Sequence, residues 1–140
     1  MNSQILQRCA AVLALLTLAA TAPAFADSYD GLTVTFDKPV AEVQKAAIDA
    51  LTVVGVDVKK QEPNYVEGKR GHKVGVFVGS GGEILSVALT AVSPDKTEAK
   101  VRTTKTMLGR MGQKVWDQDV VNEMAKALGV NPPPTPPAKK

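Results

Sequence analysis

The chain has 140 residues, with 17 lysine or arginine residues against 14 aspartate or glutamate residues and a formal net charge of +3. This small positive surplus does not indicate a protein that binds nucleic acid. One cysteine, Cys9, and one histidine, His72, exclude an intrachain disulfide and leave few ligands for a transition-metal site.

The first 26 residues have the three-part layout of a secretory signal peptide. Arg8 closes a short polar start, an uncharged apolar run extends from Ala10 to Thr21, and Ala24-Phe25-Ala26 offers small residues for cleavage. The run of about 12 apolar residues is too short to cross a membrane as a helix. We expect cleavage after Ala26, which would release a periplasmic or secreted protein.

Removal of this leader changes both the charge and the thiol content of the chain. It takes away Arg8 and Cys9, so the mature protein from Asp27 onward has 16 basic and 14 acidic residues, a net charge of +2. An arginine directly before Cys9 stands where a lipidation motif needs a small or apolar residue. The mature chain is therefore expected to have no disulfide, no cysteine nucleophile and no lipid anchor.

The mature chain begins with a predicted strand and a predicted helix. Leu32, Val34 and Phe36 alternate with threonines, which is the period of a half-buried strand. Apolar residues then recur at steps of three and four: Val40, Val43, Ala47, Ala50, Leu51 and Val54. Because Pro39 precedes this pattern and Gly55 follows it, we expect an amphipathic helix between them.

An antiparallel meander is predicted after this helix. Its strands start at Val56 and continue over Tyr65–Arg70, Lys73–Val78, Glu83–Val92 and Thr97–Lys105. The glycine-rich segment Gly79-Ser80-Gly81-Gly82 predicts a chain reversal between the third and fourth of them. Residues 83–92 are largely apolar on both sides, which is typical of a central strand.

A second helix is predicted at the end of the domain. Its apolar residues recur at helical spacing, and Gly129 offers a left-handed stop: Trp116, Val120, Val121, Met124, Ala125 and Leu128. We expect this helix to lie on the sheet with Trp116 directed inward. The proline-rich residues 131–140 favour an extended, solvated conformation, and we expect a disordered tail there.

The order β-α-β-β-β-β-β-α predicts an α+β fold in a single domain over residues 27–130. We expect a two-layer sandwich, in which a mainly antiparallel sheet of five or six strands carries both helices on one face.

No residue pattern predicts a catalytic, cofactor or metal site. The glycines around Ser80 lack the lysine of a phosphate-binding loop and the spacing of a nucleophile turn. His72 stands in a predicted turn without other metal-ligand residues at suitable spacing. Asp117, Asp119 and Glu123 lack the glycine of a calcium loop, and acids at the start of a helix complement its dipole.

A basic stretch around the last strand is the tentative binding face, consisting of Lys100, Arg102, Lys105 and Arg110. Lys100 and Arg102 alternate with apolar residues, so both are expected to face solvent. Such a face could contact an anionic glycan, a lipid head group or a protein. The alternative is a solvated strand face whose charges discourage aggregation.

The pattern of the domain resembles that of a known family. The resemblance depends on the strand and helix at the start, the meander, and six later residues: Val101, Arg102, Gly109, Gly112, Trp116 and Leu128. From Leu32 to Leu128 the chain resembles small exported bacterial envelope domains of unknown function, many of which are lipoproteins. The resemblance implies the fold and an envelope location, and it provides no catalytic residues. The unsuitable context of Cys9 departs from the lipid-anchored members.

These observations predict a non-catalytic accessory or binding protein of the cell envelope, without a cofactor, whose partner is an envelope protein or an anionic surface. Two alternatives are electrostatic attachment to an anionic glycan or lipid surface through the basic strand, and a small hydrolase. A single histidine, the lack of a thiol and scattered carboxylates argue against the hydrolase. We expect neither nucleic acid binding nor a transmembrane segment in the mature chain.

Overall fold

A computed structural model of the chain describes residues 30–71, 73–74, 79–106 and 113–134. The predicted signal peptide, His72, Arg110 and the end of the predicted tail lie outside the described residues. The described elements, in chain order, are β1 (Leu32–Phe36), α1 (Val40–Val53), β2 (Val56–Glu62), β3 (Tyr65–Arg70), β4 (Lys73–Val74), β5 (Gly79–Ser80), β6 (Ile84–Ser93), β7 (Lys96–Thr104) and α2 (Asp117–Leu128).

Five of these strands form one antiparallel sheet in the order β1-β7-β6-β3-β2. The longest strand, β6, lies at the centre, as its two largely apolar sides predict. Both helices pack on the buried face of this sheet and against each other. The predicted α+β architecture with two helices is therefore confirmed.

The segment between β3 and β6 differs from the prediction. Residues 73–78 were expected to form a strand of the main sheet, with the reversal at Gly79–Gly82. Instead β4 and β5 pair only with each other, and β3 pairs directly with β6. Gly81 and Gly82 have positive φ angles of 111° and 85°, a backbone conformation that turns the chain from β5 into β6.

The core follows from alternation along the strands and the helical period of three to four residues. On β6 and β7 the residues facing the helices are fully buried, among them Leu85, Val87 and Val101. Their neighbours in sequence face the opposite side of the sheet, where they are exposed or half-buried. One face of the sheet therefore forms the core, and the other carries the charged residues of β7.

The helix ends agree with the predicted stop signals. The Pro39 carbonyl accepts hydrogen bonds from the Glu42 and Val43 amides, both at 3.1 Å, at the start of α1. Gly129 ends α2 in the left-handed conformation at φ 66°, and the Val130 amide donates to the Ala125 carbonyl at 2.9 Å. This bond satisfies one of the free carbonyls that a helix C-terminus leaves.

Candidate functional site

Most of the buried polar side chains in the described part of the chain lie at one end of the main sheet. Glu83 precedes β6, Thr103 lies near the end of β7, and Gln113 and Asp117 flank the start of α2. Buried polar groups are costly unless they are paired. Their concentration at this end therefore marks it as the candidate functional region.

Trp116 lies at the centre of this region, directly before α2. The guanidinium carbon of Arg70 is 3.9 Å from the centre of its ring, and the Lys114 ammonium nitrogen is 4.1 Å from it. The indole N–H donates to Glu83 Oε1 at 3.4 Å. Trp116 is half-buried and packs at the edge of the core, so it is directed inward as predicted, but toward charged groups. The negatively polarised face of an aromatic ring attracts cations, so both contacts are favourable.

Arg70 links Trp116 to the buried carboxylate of Glu83. Its Nη1 lies 4.0 Å from Glu83 Oε2, and its Nε donates to the Val54 carbonyl at 3.0 Å. The Glu83 side chain is only 1% exposed. Because an isolated buried charge is strongly unfavourable, Arg70 supplies the countercharge that this position needs.

Two further polar groups fix the chain on either side of Trp116. The Thr103 hydroxyl donates to Asp117 Oδ1 at 2.5 Å and accepts a hydrogen bond from the Trp116 amide at 3.0 Å. Gln113 Nε2 donates to the Gly81 carbonyl at 3.0 Å, and its Oε1 accepts a hydrogen bond from the Thr106 amide at the same distance. Trp116 is thus held by the hydrogen bonds of its own amide and indole N–H and by those of its neighbours.

A cleft of about 600 Å³ opens beside Trp116 and Arg70. The apolar part of its lining consists of Val53, Val54 and Pro132. Its polar part comes from successive turns of α2 and consists of Asp119, Asn122, Glu123 and Lys126. Residues three and four apart share one face of a helix, so these polar groups form one wall. Val53 is 67% exposed, the largest exposure of any bulky apolar side chain in the described residues.

The charged groups around this cleft neutralise one another. Lys126 Nζ is 2.5 Å from Glu123 Oε1, and Lys114 Nζ is 2.9 Å from Asp119 Oδ2. Arg70 is opposed by Glu83. The arrangement therefore favours a ligand that binds through apolar contact and hydrogen bonds more than one attracted by net charge.

The basic strand lies elsewhere. Lys100 and Arg102 occupy the helix-free face of β7, as alternation predicts, Lys105 follows β7 and is exposed, and Arg110 lies outside the described residues. Lys100 Nζ is 2.7 Å from Asp30 Oδ1, and this hydrogen bond lowers the pKa of Asp30. Lys100, Arg102 and Lys105 do not line the cleft.

The acidic residues of α2 divide between two environments. The sequence predicts that they complement the helix dipole, and Asp119 and Glu123 line the cleft. Asp117, which like Asp119 lies in the first turn of α2 as predicted, is buried and accepts a hydrogen bond from the Thr103 hydroxyl. Among the described residues no group of three or more histidine, cysteine, aspartate or glutamate side chains is placed to hold a metal ion.

Sequence reasoning missed Arg70, Glu83 and Gln113. One local signal was available: Glu83 is a charged residue next to a strand whose two sides are largely apolar. Its partners Arg70 and Trp116 are far from it in sequence, so pairing in the fold, and not spacing along the chain, brings the three together.

Comparison with models of known protein families gives no match, and no curated protein matches the chain significantly. The resemblance to envelope domains stays a prediction. In the portion of the chain that the structure describes, no helix is long and apolar enough to cross a membrane.

Proposed function

We propose that this protein is a non-catalytic binding domain of the bacterial cell envelope and that the cleft beside Trp116 is its ligand site. The observation that carries the proposal is the position of Val53, an exposed apolar side chain, beside a polar wall and an anchored tryptophan. Pockets that combine apolar surface with a few fixed polar groups are the usual form of binding sites. The envelope location depends on the predicted signal peptide.

The ligand that fits this cleft best is a short peptide segment of an envelope protein. Val53, Val54 and Pro132 can cover one apolar side chain of such a segment. Asn122 also lines the cleft; its Oδ1 accepts a hydrogen bond from Gln118 Nε2 at 3.0 Å, and its amide N–H groups can donate to a peptide carbonyl. A free anion or cation is favoured less, because the charges of the cleft are already paired.

The buried acids support a binding function over catalysis. The carboxylate of Glu83 contacts Arg70 and Trp116, and that of Asp117 accepts a hydrogen bond from Thr103. Both acids therefore stabilise the structure around Trp116. A general base needs access to a substrate proton, and these contacts leave the two groups buried.

The test is affinity capture from an envelope extract with the full chain, tagged at its C-terminus and expressed in a bacterial host. The key variant is Val53→Glu, and its matched control is Val92→Glu, which changes a residue of similar exposure (58%) outside the cleft. We expect the native chain and Val92→Glu to capture equal amounts of the same partner. Val53→Glu should capture at least tenfold less of it. Equal capture by both variants would overturn the assignment of the cleft.

Electrostatic attachment through the basic strand is the second candidate function. The exposure of Arg102 and Lys105 favours it. Ion pairs at a surface are screened over about 8 Å at physiological ionic strength, so this attachment should fail in high salt and in a Lys100→Glu, Arg102→Glu variant. A partner that survives both conditions supports the cleft, and a partner lost in both supports the basic strand.

A further inference from the structure

The two edge strands of the main sheet are protected to different degrees. β2 has a bulge between Val58 and Lys60 and carries charged side chains along most of its length. β1 has five residues without a charge, a proline or a bulge. Bulges and edge charges prevent a strand from pairing with another chain, so the unprotected edge belongs to β1.

The direction of the backbone groups on β1 follows from the ladder of the sheet. The Leu89 amide donates to the Asn64 carbonyl at 2.8 Å, so backbone groups at Leu89 point toward β3. In an antiparallel sheet this direction alternates, and those of Ala88 and Thr90 therefore point toward β7. Their partners on β7 are Lys100 and Glu98, which bond to β6 and not to β1.

The same alternation continues to the edge. Lys100 and Glu98 stand opposite Thr33 and Thr35. Since both β7 residues bond to β6, the amide and carbonyl groups of Thr33 and Thr35 point away from the sheet. Within the described residues no backbone hydrogen bond reaches these outward groups. Both threonines are exposed.

We propose that this edge pairs with β1 of a second copy of the chain, in an antiparallel dimer with its two-fold axis at Val34. Thr33 then stands opposite Thr35 of the second copy, and their outward amides and carbonyls bond to each other. Threonine pairs across strands are favourable. An antiparallel edge pairing satisfies two-fold symmetry, and it joins the two five-stranded sheets into one.

Charge and shape in this register are self-complementary. Asp30 of one copy stands opposite Lys38 of the other, at both ends of the paired strands. Within each copy Asp30 contacts Lys100 and Lys38 contacts Glu42, so two ion pairs stand side by side at each end of the paired strands. Leu32 stands opposite Phe36 of the second copy on the side of the sheet that carries the helices. A strand shifted by one residue would lose all of these pairings.

Sedimentation equilibrium of the full chain, processed by its host, tests the dimer. We expect a concentration-dependent dimer, and we expect Thr33→Pro to raise its dissociation constant at least tenfold with an unchanged circular dichroism spectrum. Proline is tolerated where an edge amide points outward, so the monomer keeps its fold. Gln61→Pro is the matched control, because Gln61 is an exposed residue of β2, the other edge strand, where it stands opposite Val66 of β3.

A charge reversal tests the register separately. Asp30→Lys should weaken the dimer, because it places a lysine opposite Lys38 of the second copy at both ends of the paired strands, and the neutral variant Asp30→Asn should weaken it less. A native chain that stays monomeric at millimolar concentration overturns the proposal. So does a dimer that Thr33→Pro leaves unchanged, or one that Gln61→Pro weakens equally.

Discussion

Arg70 and Glu83 form an ion pair that is largely removed from water. Replacing Arg70 with methionine keeps the apolar stem but leaves the Glu83 carboxylate buried without a countercharge. We expect Arg70→Met to lower the free energy of unfolding by about 3 kcal/mol. Urea denaturation followed by circular dichroism measures this loss.

The double variant Arg70→Met, Glu83→Leu is the control. With the buried charge removed as well, most of the lost stability should return, since apolar side chains can replace a buried ion pair at little cost. Purely additive losses in the two single variants and the double variant would show that Arg70 and Glu83 are not coupled.

Tyr65 makes the stability of the fold depend on pH in the alkaline range. Burial raises the pKa of its phenol, and so does its hydrogen bond to Glu67 at 2.5 Å. The protonated phenol is favoured in the folded state, so its contribution to stability is complete below the ordinary tyrosine pKa and is lost as the pH rises through the raised value. In a Tyr29→Phe background, ultraviolet difference absorbance follows Tyr65 as the one tyrosine left.

Glu67→Gln separates the two causes. Loss of the carboxylate charge should lower the pKa of Tyr65, although burial keeps it above the ordinary value. Glu98→Gln, also on the helix-free face of the sheet, should leave it unchanged. A pKa of Tyr65 that does not respond to Glu67→Gln would mean that their hydrogen bond is absent in solution.

At the scale of elements, the pairing of β2 with β3 depends on the missing side chain of Gly68. A Cβ atom there would lie 2.5 Å from the Asp57 carbonyl oxygen and 2.5 Å from a methyl group of Val56. Gly68→Ala must therefore shift the backbone of β2, and we expect a loss of about 3 kcal/mol, the upper part of the usual cost of overpacking.

Gly71→Ala is the matched control, because a Cβ atom at Gly71 has no atom within 4 Å. It makes the same chemical change just past the end of β3 and should alter stability by less than about 0.5 kcal/mol. Thermal unfolding compares the two. Equal melting temperatures would show that β2 adapts to the added methyl group without cost.

Sequence patterns predicted a strand or helix correctly where burial of one face was the main constraint on that element. Alternation placed β1 and β7, and the helical period with a terminal glycine placed α1 and α2, because burial of one face governs each of them. The described residues 73–74 and 79–80 form a separate strand pair, which differs from the prediction. There the valines at alternate positions indicated a sheet strand, whereas the actual partner of β3 was β6, a choice that depends on pairing across the fold.

At the scale of the whole molecule, the cleft could not be predicted from spacing. Arg70 ends β3, Glu83 precedes β6 and Trp116 precedes α2, so the antiparallel order of the sheet is what brings them to one end. The predicted basic residues, in contrast, are neighbours on a single strand, and alternation alone was enough to place Lys100 and Arg102 on one face.

The single cysteine allows export of the whole chain to be followed chemically. Expressed in a bacterial host, the chain should appear in the periplasmic fraction or the medium with the mass of residues 27–140. Because Cys9 lies in the predicted leader, a maleimide reagent should label the precursor and not the product.

Replacing Ala26 with arginine should block this processing, since signal cleavage needs a small residue there, whereas Asp27→Asn should leave it intact. The unprocessed Ala26→Arg chain keeps Cys9 and stays reactive with the maleimide. A native product that retains Cys9 and remains in the cytosol would remove the basis for an envelope partner. The cleft and the β1 edge would still be open to tests with purified protein, because neither includes any of the first 26 residues.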